Sequence, residues 1–239
     1  MAIKILDLDE AVISKDDGHC NHDIILFTPR TSIPGPADLQ RQLPRAILGT
    51  SAEKVWALLQ ALPSLSIKAI TGFLAGITKV DNVLNRNYYS ATPYGFGKDK
   101  AIKWHALSLN YFPSMIAEED RGDDFLTEQL AFDLSPGQPQ KVMFGLYVPF
   151  QENPATEPIE DPTVRWKTRM HRVGTIVILP HKLKYPDRKG KDLQLNYSPG
   201  HAITDHAPLG AVNQIRRQVY ENLALDRKQA ALGLSNLKT

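Results

Sequence analysis

After Pro208 the chain runs to its last residue without another proline, and its apolar residues recur at the spacing of one helix face. The residues on this shared stripe are Val212, Ile215, Val219 and Leu223, with Asp226 close to it. A stripe with this period is typical of a helix that packs one side against a core. The sequence therefore predicts a long C-terminal helix.

Strand signals dominate the rest of the chain. Ile3 and Ile5 alternate with polar residues, and residues 23–27 form a second β-type run that stops at a Thr-Pro pair. Further β-branched or alternating runs lie at 101–107, 142–150 and 172–179, with a helix candidate at 124–134. We expect an α+β protein with a sheet or barrel core, helices inserted between strands and a terminal helix.

Helical signals are concentrated in one stretch near the middle of the first half. Thr50 and Glu53 have the spacing of a capping box and precede the apolar segment VWALLQALP. Apolar residues continue to Leu84 but are interrupted by lysines and glycines. This pattern predicts a helical insertion at about residues 36–86.

Composition excludes several classes of function. The 28 Lys and Arg residues nearly balance the 26 Asp and Glu residues, so a nucleic acid or an anionic membrane is not an expected partner. The single cysteine, Cys20, forms no internal disulfide and favours a reducing compartment. No apolar run approaches the ~20 residues of a membrane span. We expect a soluble, cytoplasmic protein.

Two histidine-containing clusters have weak claims as metal sites. Residues 19–23 read HCNHD, but their spacing fits no common zinc site, and we interpret them as a polar loop between two strands. His201, Asp205 and His206 are likewise interpreted as polar loop residues. Residues 95–98 lack the glycine and hydroxyl positions of a phosphate-binding loop and are predicted to form a turn.

The terminal helix carries a more informative set of polar residues. Arg216, Tyr220 and Arg227 fall within about 40° of one another on a helix that turns 100° per residue. A guanidinium one turn from a tyrosine favours the phenolate, which is a hard oxygen ligand for ferric iron. The simpler alternative is an exposed tyrosine flanked by solvated arginines, and the spacing alone leaves both open.

Several motifs in order resemble the haem-containing catalases, especially the small catalase-related peroxidases and their hydroperoxide-isomerising relatives. The matching segments are YYSATPY at 88–94, QENPATEPIEDPTVRW at 151–166, RVGTIVILP at 172–180, NYSP at 196–199, and PLGAVNQIRRQVY at 208–220. The first residues, MAIKIL, are similar to the family's early strand without its start. This resemblance covers most of the second half of the chain.

The resemblance implies a cofactor, haem b, and a role for each residue of the helix set. Tyr220 would be the proximal iron ligand, Arg216 the cation that holds it as phenolate, and Arg227 a partner of a haem propionate. The implied fold is an antiparallel β-barrel with a helical insertion, formed by a single domain over residues 1–239 that lacks the family's N-terminal segment. The implied substrate is hydrogen peroxide or an organic hydroperoxide, and the protein could form a homo-oligomer.

Four departures from the family pattern qualify this expectation. No residue matches the distal histidine, DIILFTP replaces the segment with the distal asparagine, Gly200 stands for a tryptophan, and Gln214 for an arginine. Loss of a general base typically reduces turnover ~100- to 10,000-fold. The alternatives to a weak haem peroxidase are a non-catalytic binding module of the same fold without functional haem, and an enzyme for lipid hydroperoxides whose substrate lies along apolar residues 58–84.

Overall fold

A computed structural model describes residues 1–14, 20–28, 80–162, 164–183 and 195–231. Within these ranges the chain contains eight short or medium strands and two α-helices, joined by loops and three 3₁₀ turns at Val83–Asn85, Glu118–Asp120 and Thr204–His206. The mixed composition expected from the sequence is confirmed. The predicted insertion at 36–86, with most of the apolar segment 58–84, lies largely outside the described residues.

The first sheet is a two-stranded antiparallel pair. Strand β1, Ala2–Ile5, pairs with β2, His22–Ile25, in a register that opposes Ala2 to Ile25 and Ile5 to His22. All four residues of β2 are buried. The strand predicted at 23–27 is confirmed, and it begins one residue earlier, so the loop interpretation of His22 and Asp23 is wrong. Asn21 lies just before the strand and is buried as well.

The largest sheet has the order β3–β6–β7–β8 and is antiparallel throughout. Its strands are Tyr88–Tyr89, His105–Ser108, Val142–Pro149 and Met170–Ile178. A bulge between Leu146 and Tyr147 shifts the register of the two long strands. Gly145 precedes the bulge, where an added Cβ would lie 2.5 Å from Cε2 of the Tyr147 ring.

A third sheet contains β4, Tyr94–Gly95, and β5, Ala101–Ile102. The predicted turn between them is present, with left-handed backbone at Gly97 (φ 64°) and Asp99 (φ 64°). The strand predicted over 101–107 is instead two strands, because β5 pairs with β4 whereas β6 pairs with β3 and β7. At the break, the backbone N–H of Trp104 donates to Ser90 Oγ and leaves the ladder.

Single bridges connect these sheets. Phe27 pairs with Tyr89, with both N···O distances 2.8 Å, and Ile102 of β5 pairs with Phe150, the residue after β7. The described strands form three sheets that do not close into one barrel. The mixed α and β content is therefore observed, and the barrel stays a prediction.

Both predicted helices in the described ranges are present. Helix α1 spans Phe125–Asp133, and α2 spans Gly210–Ala231. Val212 on the predicted stripe is buried, but Leu223 is 43% exposed, so only the first part of α2 packs along that stripe. In the ranges searched, neither helix is long and apolar enough to cross a membrane.

The core lies between the strands and beneath α1. Many of its members come from β2, from the 104–112 segment and from β7, and Trp104 is one of them. The buried apolar cluster contains Ile24, Leu26, Leu84, Tyr94, Ile102, Trp104, Ala106, Phe112, Leu134, Val142, Phe144 and Val148.

Candidate functional site

The first turn of α2 is anchored to two other segments. Gly210 has φ 82°, and an added Cβ there would lie 3.0 Å from Ile159 Cγ2. Glu160 Oε2 accepts a hydrogen bond of 2.9 Å from the backbone N–H of Ala211. A carboxylate at this position satisfies one of the helix's unbonded N–H groups and interacts favourably with its dipole. Glu160 belongs to the PIED motif, so that motif positions the helix that carries the candidate ligand.

Asn213 makes the second anchor and is fully buried. Its Nδ2 donates to the carbonyl of Pro93 (2.7 Å) and to that of Leu209 (3.0 Å). Its Oδ1 accepts from the Thr92 hydroxyl at 2.6 Å. These bonds join α2 to the loop between β3 and β4.

Arg216 extends this network toward the middle of α2. Its Nη1 donates to Thr92 Oγ1 (2.7 Å) and to Asn213 Oδ1 (3.2 Å). Its Nη2 is buried and has no hydrogen-bond partner among the described residues. One end of the guanidinium is thus fixed, and the other end retains unused donors.

Tyr220 lies one turn further along α2, and the structure brings it together with Arg216. The guanidinium carbon is 5.7 Å from the centre of the Tyr220 ring and 5.5 Å from that of Phe27. Both distances are within the range of cation–π attraction. Tyr220 is half-buried, and its hydroxyl makes no hydrogen bond to the described part of the chain. The arrangement places a cation beside the phenol ring of Tyr220.

Arg227 is not part of this arrangement. Its side chain is exposed, and its Nε donates to the backbone carbonyl of Leu223 at 3.3 Å. Seven residues of α-helix separate it from Tyr220 by ~10 Å along the axis. The predicted role of Arg227, binding a haem propionate, therefore requires a ligand that reaches both Arg227 and Tyr220.

Three residues of this site were not predicted from the sequence. Asn213 precedes Arg216 by three positions on the helix, a spacing at which side chains meet, so it could have been found. Thr92 and Phe27 come from distant segments, and only the fold brings them to Arg216. The motif segments contained Thr92 and Asn213 without assigning them a function.

A second polar cluster surrounds Asp23. Its Oδ1 is 2.8 Å from Lys4 Nζ, and its Oδ2 accepts from His201 Nδ1 (2.7 Å) and from the Ser198 N–H (3.0 Å). His201 is 1% exposed. His201 lies in a loop, as the sequence predicts, but it is buried there as the partner of a buried carboxylate.

His22 and His206 pack against each other beside this cluster, with ring centres 5.3 Å apart. Burial, together with the nearby His206, lowers the pKa of His22 to about 4. Burial also lowers the pKa of His206, partly opposed by Asp205 and Glu10. His22 Nδ1 accepts from the Ile203 N–H (3.2 Å), so the neutral ring carries its proton on Nε2, which has no partner among the described residues.

An open cleft of about 510 Å³ lies on the far side of His206, lined by Glu10, Phe96, Lys98, Lys100, Ile203 and Asp205 as well. Neither Arg216 nor Tyr220 lines it. In the described part of the chain no group of three or more His, Cys, Asp or Glu residues could hold a metal ion. Tyr220 would offer a phenol oxygen instead, which is not a member of such a group.

Comparison with solved structures identifies the fold. A fungal catalase matches with a TM-score of 0.50 and 18% identity, over 65% of this chain and 34% of that catalase. Catalase A from Saccharomyces cerevisiae matches with a TM-score of 0.50 and 15% identity, over 64% of this chain and 35% of that catalase. The chain has a catalase-like fold. It spans about a third of the length of these catalases. No protein-family model and no curated protein sequence matches it.

Proposed function

We propose that this chain binds haem b through Tyr220 and acts weakly on hydroperoxides. The observation that carries the proposal is the pairing of a half-buried tyrosine, whose hydroxyl has no partner in the described residues, with the buried Nη2 of Arg216, which has none either. Two unused polar groups on one helix face suit an anionic ligand atom beside a fixed cation. The catalase-like fold supports the same assignment.

The residues present fit the proximal side of such a cofactor. The Tyr220 oxygen would bind the iron, and the Arg216 guanidinium lies 5.7 Å from the centre of the same ring. The Arg227 side chain would give up its hydrogen bond to the helix backbone and bind a haem propionate. Haem, when bound, supplies the redox-active iron that reacts with the O–O bond of a hydroperoxide. Phe27 and Thr92 keep the guanidinium in place and limit the access of water to it.

We test the proposal by absorption spectroscopy during titration with hemin. The wild-type protein should give a stoichiometric Soret band with the charge-transfer features of a tyrosinate-bound ferric iron. Tyr220→Phe should lose those features, because phenylalanine has no ligand oxygen. Tyr111→Phe is the matched control, since Tyr111 is 73% exposed and should leave the spectrum unchanged. A wild-type spectrum in Tyr220→Phe would overturn the proposal.

The second candidate is a binding module of the same fold without functional haem. It is favoured by the exposed position of Arg227, whose Nε bonds to its own helix instead of extending toward Tyr220. It predicts no Soret band at equimolar hemin and no peroxide breakdown. Hydrogen peroxide consumption that rises in proportion to haem content would exclude it, and faster consumption of a fatty-acid hydroperoxide would indicate a lipid substrate.

A further inference from the structure

We infer that Thr92 and Asn213 are positioning residues that orient the Arg216 guanidinium toward the ligand side of Tyr220. This inference rests on the proposed function and extends it to residues outside the Arg216–Tyr220 pair. Both residues are buried, with exposures of 1% for Thr92 and 0% for Asn213. Their hydrogen bonds have directions that the chemistry of each group determines.

The amide of Asn213 can take one orientation only. Its Nδ2 lies 2.7 Å from the Pro93 carbonyl and 3.0 Å from the Leu209 carbonyl, and both carbonyls can only accept. The flipped amide would place an oxygen against two carbonyl oxygens and leave all three without a donor. Oδ1 must therefore face Thr92.

The proton of the Thr92 hydroxyl is fixed in turn. Asn213 Oδ1 can only accept, and it is 2.6 Å from Thr92 Oγ1, so the hydroxyl donates to it. The remaining lone pairs of Oγ1 accept from Arg216 Nη1 at 2.7 Å. The direction of each hydrogen bond between the two backbone carbonyls and the Arg216 guanidinium is therefore determined.

The Arg216 guanidinium is held in one orientation by these bonds. A guanidinium is planar and rigid, so fixing Nη1 through Thr92 and Asn213 also fixes the direction of Nη2. The Phe27 and Tyr220 rings lie 5.5 Å and 5.7 Å from the guanidinium carbon and restrict its rotation further. The buried hydrogens of Nη2 are left as the donors available to a negatively charged oxygen.

The experiment compares Thr92→Val with Thr92→Ser by hemin titration. Valine has the shape of threonine without its hydroxyl, so Arg216 loses its shortest hydrogen bond, whereas serine retains it. Thr92→Val should weaken hemin binding on the order of tenfold, the effect of losing one hydrogen bond to a charged group, and reduce the tyrosinate charge-transfer intensity at pH 7. Thr92→Ser should restore both. Circular dichroism of the hemin-free proteins establishes that each is folded, and Thr92→Ala replaces the valine variant if that one is not.

The same two substitutions in a Tyr220→Phe background separate positioning from general structural support. Thr92→Val should then have no further effect on hemin affinity. A tenfold loss in both backgrounds, or a wild-type charge-transfer intensity in Thr92→Val alone, would overturn the inference while leaving the proposed function intact. A wild-type spectrum in Tyr220→Phe itself would overturn the proposed function, and the two failures are thereby distinguishable.

Discussion

Asp23 and Arg216 are both held by short hydrogen bonds at buried sites, but they use their bonding capacity differently. Both carboxylate oxygens of Asp23 have a partner: Oδ2 accepts hydrogen bonds from His201 and the Ser198 N–H, and Oδ1 forms an ion pair of 2.8 Å with Lys4 Nζ that lacks hydrogen-bond geometry. Arg216 has one occupied nitrogen, Nη1, and one buried nitrogen without a partner in the described residues. A closed set of bonds stabilises a fold, whereas an open one leaves a donor for a ligand. If the proposed function holds, the abundance of titratable residues around Asp23 is a sign of fold stabilisation and not of the functional site.

The sharpest test of this contrast is Asp23→Ala. It leaves the buried His201 and the largely buried Lys4 without their shared carboxylate, and breaking a buried ion pair from one side typically costs ~3–5 kcal/mol. We expect that loss in the free energy of unfolding measured with urea. The control Asp205→Ala, at an exposed position, should change it by less than about 0.5 kcal/mol. Equal effects of the two substitutions would show that the Asp23 cluster is not a stabilising one.

Acid should destabilise the same region through His22. Its pKa in the folded protein is about 4, below the value of 6.5 in an unfolded chain, so the unfolded state binds more protons between these values. Stability is therefore unaffected above about pH 6.5 and is lost as the pH falls toward 4, by on the order of 2–3 kcal/mol from this residue. The measurement is urea unfolding at pH 7 and pH 4.5.

A matched variant isolates that residue. His22→Asn retains an acceptor for the Ile203 N–H but no titrating ring. Its stability should fall less between pH 7 and pH 4.5 than that of the wild type. The same decline in both proteins would assign the acid sensitivity to other groups.

Removing the charge of Arg216 should lower the free energy of unfolding by less than Asp23→Ala does. In Arg216→Met the Thr92 hydroxyl and Asn213 Oδ1 remain bonded to each other, so no buried donor is orphaned. We expect a loss of about 1–2 kcal/mol in the free energy of unfolding, again by urea titration. A loss as large as that of Asp23→Ala would mean that Arg216 is primarily a structural residue.

The smallest effect is expected on the exposed face of α2. Arg217 Nε and Glu221 Oε1 are 3.1 Å apart, one turn along the helix, and the Arg217 side chain is 45% exposed. Such pairs contribute about 0.3–0.5 kcal/mol, and less with the cation placed first. Glu221→Gln should therefore lower the melting temperature by no more than about 1–2 °C in calorimetry. A larger shift would indicate that this face makes contacts beyond the pair.

The elements with strong local periodicity were predictable from the sequence. Helix α2 begins two residues after Pro208, and β7 and β8 coincide with the apolar and β-branched runs. The break between β5 and β6 was not predictable, because the alternation of residues 101–107 continues across Lys103 and Trp104. Strand β5 ends there because the chain begins to pair with different neighbouring strands. The residue pattern of a single strand carries no information about which strands lie beside it.

The candidate site also contains both contacts that the sequence predicts and contacts that only the fold creates. The Arg216 and Tyr220 pair follows from helix spacing, and the structure places the two side chains together. The Thr92 and His201 contacts connect residues more than 100 positions apart, so they depend on the whole fold. Gly200, one departure from the catalase pattern, is not required by its surroundings: an added Cβ would lie 2.7 Å from Arg217 Cδ, but that side chain is 45% exposed and can move aside.

The close approach of the Tyr147 ring to Gly145, two residues away in β7, limits how this sequence can diverge. A side chain at position 145 would occupy the space of the Tyr147 ring, so a descendant carrying one must move or lose that ring. The bulge gives no relief, because its extra residue is Val173 in β8: Leu146 pairs with Gly174 and Tyr147 with Arg172. Glycine 145 and tyrosine 147 are thus expected to be inherited, or replaced, together.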